Sequence, residues 1–162
     1  MKGWGWLPGL GLVATACLAM PSAALGEDAI REARPALSAE LAARSILIDL
    51  AQAGEHYLAV GERGHILRSA DGRGWQQVEV PVDVMLNRVW FLDERRGWAV
   101  GHDGAILHTQ DGGQSWVLQR WAPDDRELND VRFTDADNGI AIGGYGTLLE
   151  TSDGGESWEM RD

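Results

Sequence analysis

A unit of about 40 residues recurs three times in this chain, and few folds can be built from such a unit. LAVGERGHILRSADGRGW spans 58–75, WAVGHDGAILHTQDGGQSW spans 98–116 and IAIGGYGTLLETSDGGESW spans 140–158. The aspartates at 71, 111 and 153 lie 40 and 42 residues apart, and the glycines at 61, 101 and 143 keep the same step. Upstream of the second and third copies, LNRVWFLDERRG (86–97) and LNDVRFTDADNG (128–139) are also 42 apart. Within each unit, short β-rich runs alternate with Gly and Asp turns, and helical periodicity is absent. A period of this length with several short strands is the pattern of a β-propeller blade.

Each unit resolves into four strands. In the second, the expected strands run over 88–92, 98–100, 105–109 and 115–120, joined by ERRG, GHDG and DGGQ turns. The third follows the same plan and stops at 160–162. The first opens with a strand near 46–50 and has an aspartate turn one residue shorter. The fold class is therefore all-β, with about three four-stranded antiparallel blades at 46–80, 81–122 and 123–162. Residues 27–45, EDAIREARPALSAELAARS, read as an N-terminal arm with some helix. Pro35 interrupts any single helix, and Ser38 is the natural N-cap of a short one.

The octapeptides TQDGGQSW and TSDGGESW could be chemistry, an acid beside a stacking ring, or architecture. A hairpin turn leaves backbone N–H groups without ladder partners, and one carboxylate can accept several of them. Asp71, Asp111 and Asp153 suit that task, with the hydroxyls of Ser69, Thr109, Ser115, Thr151 and Ser157 joining the cluster. Gly113 and Gly155 permit the positive φ such a turn needs. Trp75, Trp116 and Trp158 begin the outer strand and can lie across the turn as a lid, burying about 150–250 Å² each. Every residue type has a structural task, and a catalytic motif would occur once in a chain, not once per blade.

Residues 1–29 hold Lys2, an apolar run from Leu7 to Met20 and small residues beyond Pro21, the layout of a secretory leader. Cleavage fits after Ala24 or Gly26. A membrane anchor needs about 20 apolar residues, and this run is shorter and interrupted by Pro8, Gly9 and Gly11. VATA before Cys17 departs from the Leu-led signal of lipoproteins. The expectation is an exported chain, periplasmic or secreted. Removing 1–26 removes the only lysine and the only cysteine, leaving 13 Arg against 25 acids and moving the formal charge from −11 to −12. Lysine Schiff-base and thiol chemistry are then excluded, and an acidic surface argues against nucleic acid. His56, His65, His102 and His108 show no metal-ligand spacing, so neither metal nor cofactor is expected.

The two octapeptides resemble the Asp-box of bacterial neuraminidase (BNR) repeats, and SADGRGW at 69–75 resembles a degenerate copy. The longer GWAVGHDGAILHTQDGGQSW is similar to the photosystem II stability/assembly factor family. LAVGERGHILRSADG and VPVDVMLNRVWFLDERRGWAVG match its relatives in heterotrophic bacteria particularly well. The resemblance covers about 45–158 and implies a propeller whose Asp-boxes lie on the periphery, between third and fourth strands. It implies a scaffold or assembly factor with protein partners in a membrane or envelope complex. Sialidases also carry Asp-boxes, but their tyrosine nucleophile has only Tyr57 and Tyr145 as candidates, and no arginine triad is recognisable. A non-enzymatic module is the preferred reading; a sialidase-like hydrolase and a truncated paralogue without independent function are the alternatives. Propellers bind on the face carrying the hairpins between second and third strands. Glu62, Arg63, His102, Asp103 and Tyr145, with Arg88 on the same face, form the candidate partner-binding rim. Family members close a ring of about seven blades, and known rings have about 4–8. Three blades suggest self-association or a companion chain.

Overall fold

The computed structural model describes residues 32–123 and 126–161. The expected leader, 1–26, lies outside the described residues, as do the first residues of the arm and positions 124, 125 and 162. The described residues form three four-stranded antiparallel meanders, each in simple up-and-down order. Sheet 1 contains β1 (Leu47–Ala53), β2 (His56–Gly61), β3 (Ile66–Ser69) and β4 (Gln76–Val78). Sheet 2 contains β5 (Leu86–Phe91), β6 (Gly97–Gly101), β7 (Ile106–Thr109) and β8 (Val117–Arg120). Sheet 3 contains β9 (Leu128–Phe133), β10 (Gly139–Gly143), β11 (Leu148–Thr151) and β12 (Glu159–Met160). The first strands are neighbours in space, β1 against β5 and β5 against β9, as in the blades of a propeller. The three sheets do not close on themselves.

Repetition extends to irregularities. Each first strand carries one unpaired residue, Ile48, Asn87 or Asn129, where the register with the second strand shifts. The following second-strand glycine, at 61, 101 or 143, lies against the backbone carbonyl of Ile46, Met85 or Glu127, so closely that a Cβ would collide with it. These three glycines are therefore a packing requirement of the strand crossing, since their φ values are extended.

Two apolar layers hold the sheets together. Leu58, Val60 and Ile66 of sheet 1 meet Val89, Ala99 and Leu107 of sheet 2. Trp98, Val100 and Ile106 of sheet 2 meet Val131, Phe133, Ala141 and Leu149 of sheet 3. Trp98 lies flat on Phe133, with ring centroids 3.6 Å apart. Each buried Val, Leu, Ile or Phe side chain among them stabilises the packing by about 1.5–3 kcal/mol. Because both its faces are covered, β6 is buried throughout, whereas β10 alternates buried and exposed along its length.

The arm differs from expectation. No helix starts at Ser38. The only helical residues in the described arm are a single 3-10 turn, Ala42–Arg44, and its N-cap position, Leu41, makes no side-chain bond. The cause is tertiary docking. Ala36 N–H donates to the Val80 carbonyl at 2.9 Å, and the Gln77 amide accepts from Ala39 N–H and donates to the Leu37 carbonyl, both at 2.9 Å. These bonds hold 36–39 along the outer edge of sheet 1 and override a modest helix propensity. Ala42 then packs on Ala59 and Leu67. No helix among the described residues is long and apolar enough to cross a membrane.

Candidate functional site

The aspartate turns lie between third and fourth strands. In the second, Asp111 Oδ1 accepts from the Thr109 hydroxyl at 2.8 Å and from the amides of Gln114 and Ser115, both at 2.9 Å. Its Oδ2 accepts from the Ser115 hydroxyl at 2.6 Å. Thr109 in turn accepts from Gly113 N–H at 3.0 Å. In the third turn, Asp153 accepts from the Thr151 hydroxyl at 2.7 Å, the Ser157 amide at 3.0 Å and the Ser157 hydroxyl at 2.5 Å, while Gly155 N–H donates to Thr151. The first turn is sparser. Asp71 holds the amides of Arg73 and Gly74 and the Ser69 hydroxyl, with Gly74 standing where the others have serine.

These bonds decide what the acids can do. The Ser157 hydroxyl and amide and the Thr151 hydroxyl lower the Asp153 carboxyl to about 2. Burial alone would raise Asp111, but bonds from Ser115, Thr109 and Gln114 outweigh it and lower the carboxyl. Asp71 is lowered by the Gly74 and Arg73 amides. Three carboxylates kept ionised and turned onto their own loops are poor proton donors. The tryptophans are placed in two ways. Trp116 and Trp158 pack edge-on against Phe91 and Phe133, at 6.2 and 5.8 Å. Trp75 stays over its own turn, with Nε1–H donating to the Gly72 carbonyl at 3.2 Å.

The hairpin tips form a separate surface. Each is one 3-10 turn, Glu62–Gly64, His102–Gly104 or Gly144–Gly146. The middle residues, Arg63, Asp103 and Tyr145, have φ of 55°, 55° and 57°. This left-handed region costs a side-chain-bearing residue about 1–2 kcal/mol. Tyr145 is 85% exposed, and the Arg126 guanidinium lies over its ring at 4.4 Å. Arg63 and His102 are exposed, while Asp103 is half-buried. Glu62 is engaged locally, accepting from Ile46 N–H at 3.1 Å.

Arg88 is held by ion pairs. It lies on β5 between Asp49 of β1 at 3.3 Å and Asp130 of β9 at 3.1 Å, and Arg132 continues the line 3.7 Å from Asp130. Asp49 also accepts from Val89 N–H at 2.9 Å, and the Asn87 amide donates to the Leu128 carbonyl at 2.9 Å. This line of alternating charge across three first strands was missed in the sequence. Its signal was there: positions 49, 88 and 130 occupy the same place beside the unpaired residue of each first strand. Among the described residues, no group of three or more His, Cys, Asp or Glu side chains is arranged to hold a metal ion.

A sequence model described as photosynthesis system II assembly factor YCF48 matches residues 67–129 and 119–162. The photosystem II stability/assembly factor HCF136 of Guillardia theta is 39% identical over 61 residues, 35% of this chain and 15% of that protein. The photosystem II assembly protein Ycf48 of Thermosynechococcus vestitus is 33% identical over 46 residues, 28% of this chain and 13% of that protein. Among solved structures, YCF48 bound to D1 peptide superposes with a TM-score of 0.61 at 25% identity, covering 70% of this chain and 39% of that one. YCF48 from Cyanidioschyzon merolae gives 0.62 at 23% identity, covering 72% and 39%. The matched part of this chain thus spans well under half the length of these relatives.

Proposed function

The chain belongs to the photosynthesis system II assembly factor YCF48 family, and from that premise we propose that it is a non-enzymatic, exported binding module that assists assembly or stability of a membrane or envelope protein complex. One observation carries the reading: one solved relative with this fold is bound to a D1 peptide, so this blade architecture can hold a stretch of partner polypeptide. The partner here is taken to be a soluble segment of a membrane protein, captured at the hairpin tips. Arg63, His102 and Tyr145 offer a guanidinium, an imidazole and an aromatic ring there, each exposed. In a chain of formal charge −11 these groups suit a peptide's carbonyls and carboxylates. The aspartate turns have no part in this, because their polar groups are committed to one another.

The test is site-specific photo-crosslinking in the native envelope. A photoreactive phenylalanine analogue replaces Tyr145, His102 or, on the opposite kind of loop, Gln114. Adducts from the two tip positions to one membrane protein, with none from Gln114, support the reading. Adducts only from Gln114, or hydrolysis of a fluorogenic sialoside by the purified chain, refute it.

A further inference from the structure

Sheet 1 is tied to sheet 2, and sheet 2 to sheet 3, by the same kind of bond made from different side chains. Gly112 and Gly154 each follow the aspartate of a turn. At the first junction Arg68 of β3 donates from Nε to the Gly112 carbonyl at 3.1 Å. At the second, Gln119 of β8 donates from Nε2 to the Gly154 carbonyl at 2.9 Å. The place of Arg68 is taken there by His108 of β7, since the two lie opposite Leu58 and Trp98, at the same step of the repeat. A guanidinium keeps its charge throughout the working range of pH, whereas an imidazole does not.

The neighbours of His108 fix its protonation state. The Gly154 carbonyl can only accept, so the amide nitrogen of Gln119 faces it. The amide oxygen is then turned to Gly155, where a Cβ would lie 2.2 Å from it. The same nitrogen is 3.4 Å from His108 Nδ1, which therefore accepts. The ring is neutral, with its proton on Nε2, and Nε2 is buried with no hydrogen-bond partner among the described residues. The ring also lies flat on Trp98, with centroids 4.6 Å apart.

We propose that His108 is an acid-sensitive latch between sheets 2 and 3, whose protonation frees the third aspartate turn from sheet 2. A proton on Nδ1 points at another donor, the Gln119 amide nitrogen. Turning the amide over would offer its oxygen to the imidazolium, but would also set that oxygen against the Gly154 carbonyl, one acceptor facing another. By either route the Gln119–Gly154 bond is lost.

The charges around the ring do not offset this. Arg95, Asp111 and Glu156 line the same groove as His108, from the turn between β5 and β6, the turn of its own sheet and the turn of sheet 3. Asp111 is committed to its own turn. Arg95 and Glu156 are exposed, so water and salt screen them. Arg96 is paired with Asp93 at 2.6 Å. Burial, and then the charge of Arg96, hold the His108 pKa below its ordinary value. The folded value therefore lies below the unfolded one. The latch is fully closed above about pH 6.5 and weakens as pH falls below that. The first junction, tied by Arg68, serves as an internal control.

Hydrogen exchange of the purified chain at about pH 7.5 and about pH 5, each rate divided by that of an unstructured peptide at the same pH, tests this. If His108 stays neutral in the closed junction and titrates normally in the open one, opening gains at most about thirtyfold over that interval. Protection of 152–158 should fall by about threefold to thirtyfold at the lower pH, while 110–116 changes by less than about threefold. In His108→Gln, whose side chain can accept in place of Nδ1 and does not titrate, 152–158 should keep its protection within about threefold. The His108 ring, followed by NMR in the parent, should titrate below its ordinary value. Equal loosening of both turns, no loosening of 152–158, the parent's loosening retained in His108→Gln, or a ring that titrates at or above its ordinary value overturns the proposal. The comparison of the two turns and the ring titration need no variant, so they decide the matter even if His108→Gln fails to fold. No partner takes part in these measurements, which therefore stand apart from peptide capture at the tips.

Discussion

Replacing Asp111 by alanine removes four hydrogen-bond acceptances at once, from the Thr109 hydroxyl, two amides and the Ser115 hydroxyl. At about 1 kcal/mol net per bond the gross loss would be about 4 kcal/mol. The structure reduces that figure. Gln114 and Ser115 are exposed, so their released groups turn to water. Thr109 is buried, so its hydroxyl loses a partner that water cannot readily replace. One orphaned buried hydroxyl costs about 1–3 kcal/mol. The expected loss is thus about 2 kcal/mol, a fall in Tm of roughly 6 °C for a chain of this size. Asp111→Asn keeps one acceptor oxygen and should lose about half as much. Asp71→Ala should lose less than Asp111→Ala, because Gly74 supplies no hydroxyl to its turn. Urea unfolding followed by circular dichroism measures all three. An Asp111→Ala protein within about 0.5 kcal/mol of the parent, or one less perturbed than Asp71→Ala, would refute the reasoning.

The same carboxylates set a pH dependence. Their folded pKa values lie below the unfolded value of about 3.9. The stabilisation they supply is therefore complete above that value and is lost as pH falls through the folded one. For Asp153, lowered to about 2, the window runs from about pH 4 down to about pH 2. The parent should lose stability across that window more steeply than a protein carrying Asp111→Asn and Asp153→Asn, as acid titration of the unfolding midpoint will show.

Three further perturbations probe the packing. Gly113→Ala places a Cβ 2.6 Å from Leu58 Cδ1 at φ +78°, wedging sheets 1 and 2 apart; a loss of about 2–4 kcal/mol is expected in urea melts. Trp98→Ala removes the ring stacked on Phe133 and His108 and should cost about 3–5 kcal/mol, with the near-ultraviolet signal of the aromatic stack lost before global unfolding. Gln77→Ala cuts two of the three bonds that hold the arm backbone, leaving Ala36 N–H on the Val80 carbonyl, and should accelerate amide exchange over 37–45, while global stability changes by less than about 1 kcal/mol.

What the chain reveals without its structure follows the range of the forces involved. The aspartate turns were legible because their contacts are local: Thr109, Asp111 and Ser115 lie within six positions of one another, and the repeat prints the cluster twice in full and once with Gly74 for the serine. Glycines 61, 101 and 143 were legible as turn positions, but their physical reason, contact with the carbonyls of residues 46, 85 and 127, involves another strand and was not. The tryptophans were read as lids on their own turns. Trp75 bonds its own turn, while Trp116 and Trp158 each also meet a phenylalanine at the end of the first strand of their own sheet, 25 residues back, a contact that the local pattern does not show. Arg88 is expected on the face of the hairpin rim, and the sequence names no partner for it. Its actual partners, Asp49 and Asp130, lie one repeat away on either side.

The arm shows the same limit most sharply. SAELAARS has good helix formers and a good cap, and as an isolated peptide it would favour a helix. Short helices are marginal in water, however, and a few tertiary bonds suffice to displace them. Gln77 and Val80 supply those bonds, and the gain is that Ala42 covers Ala59 and Leu67. The arm thus does for sheet 1 what sheet 1 does for sheet 2. A repeat whose units stack only on their neighbours leaves its outermost faces as the places where local propensity and tertiary need diverge. In this chain that divergence falls on the leading face of sheet 1, where the arm gives up its helix and Ala42 covers Ala59 and Leu67.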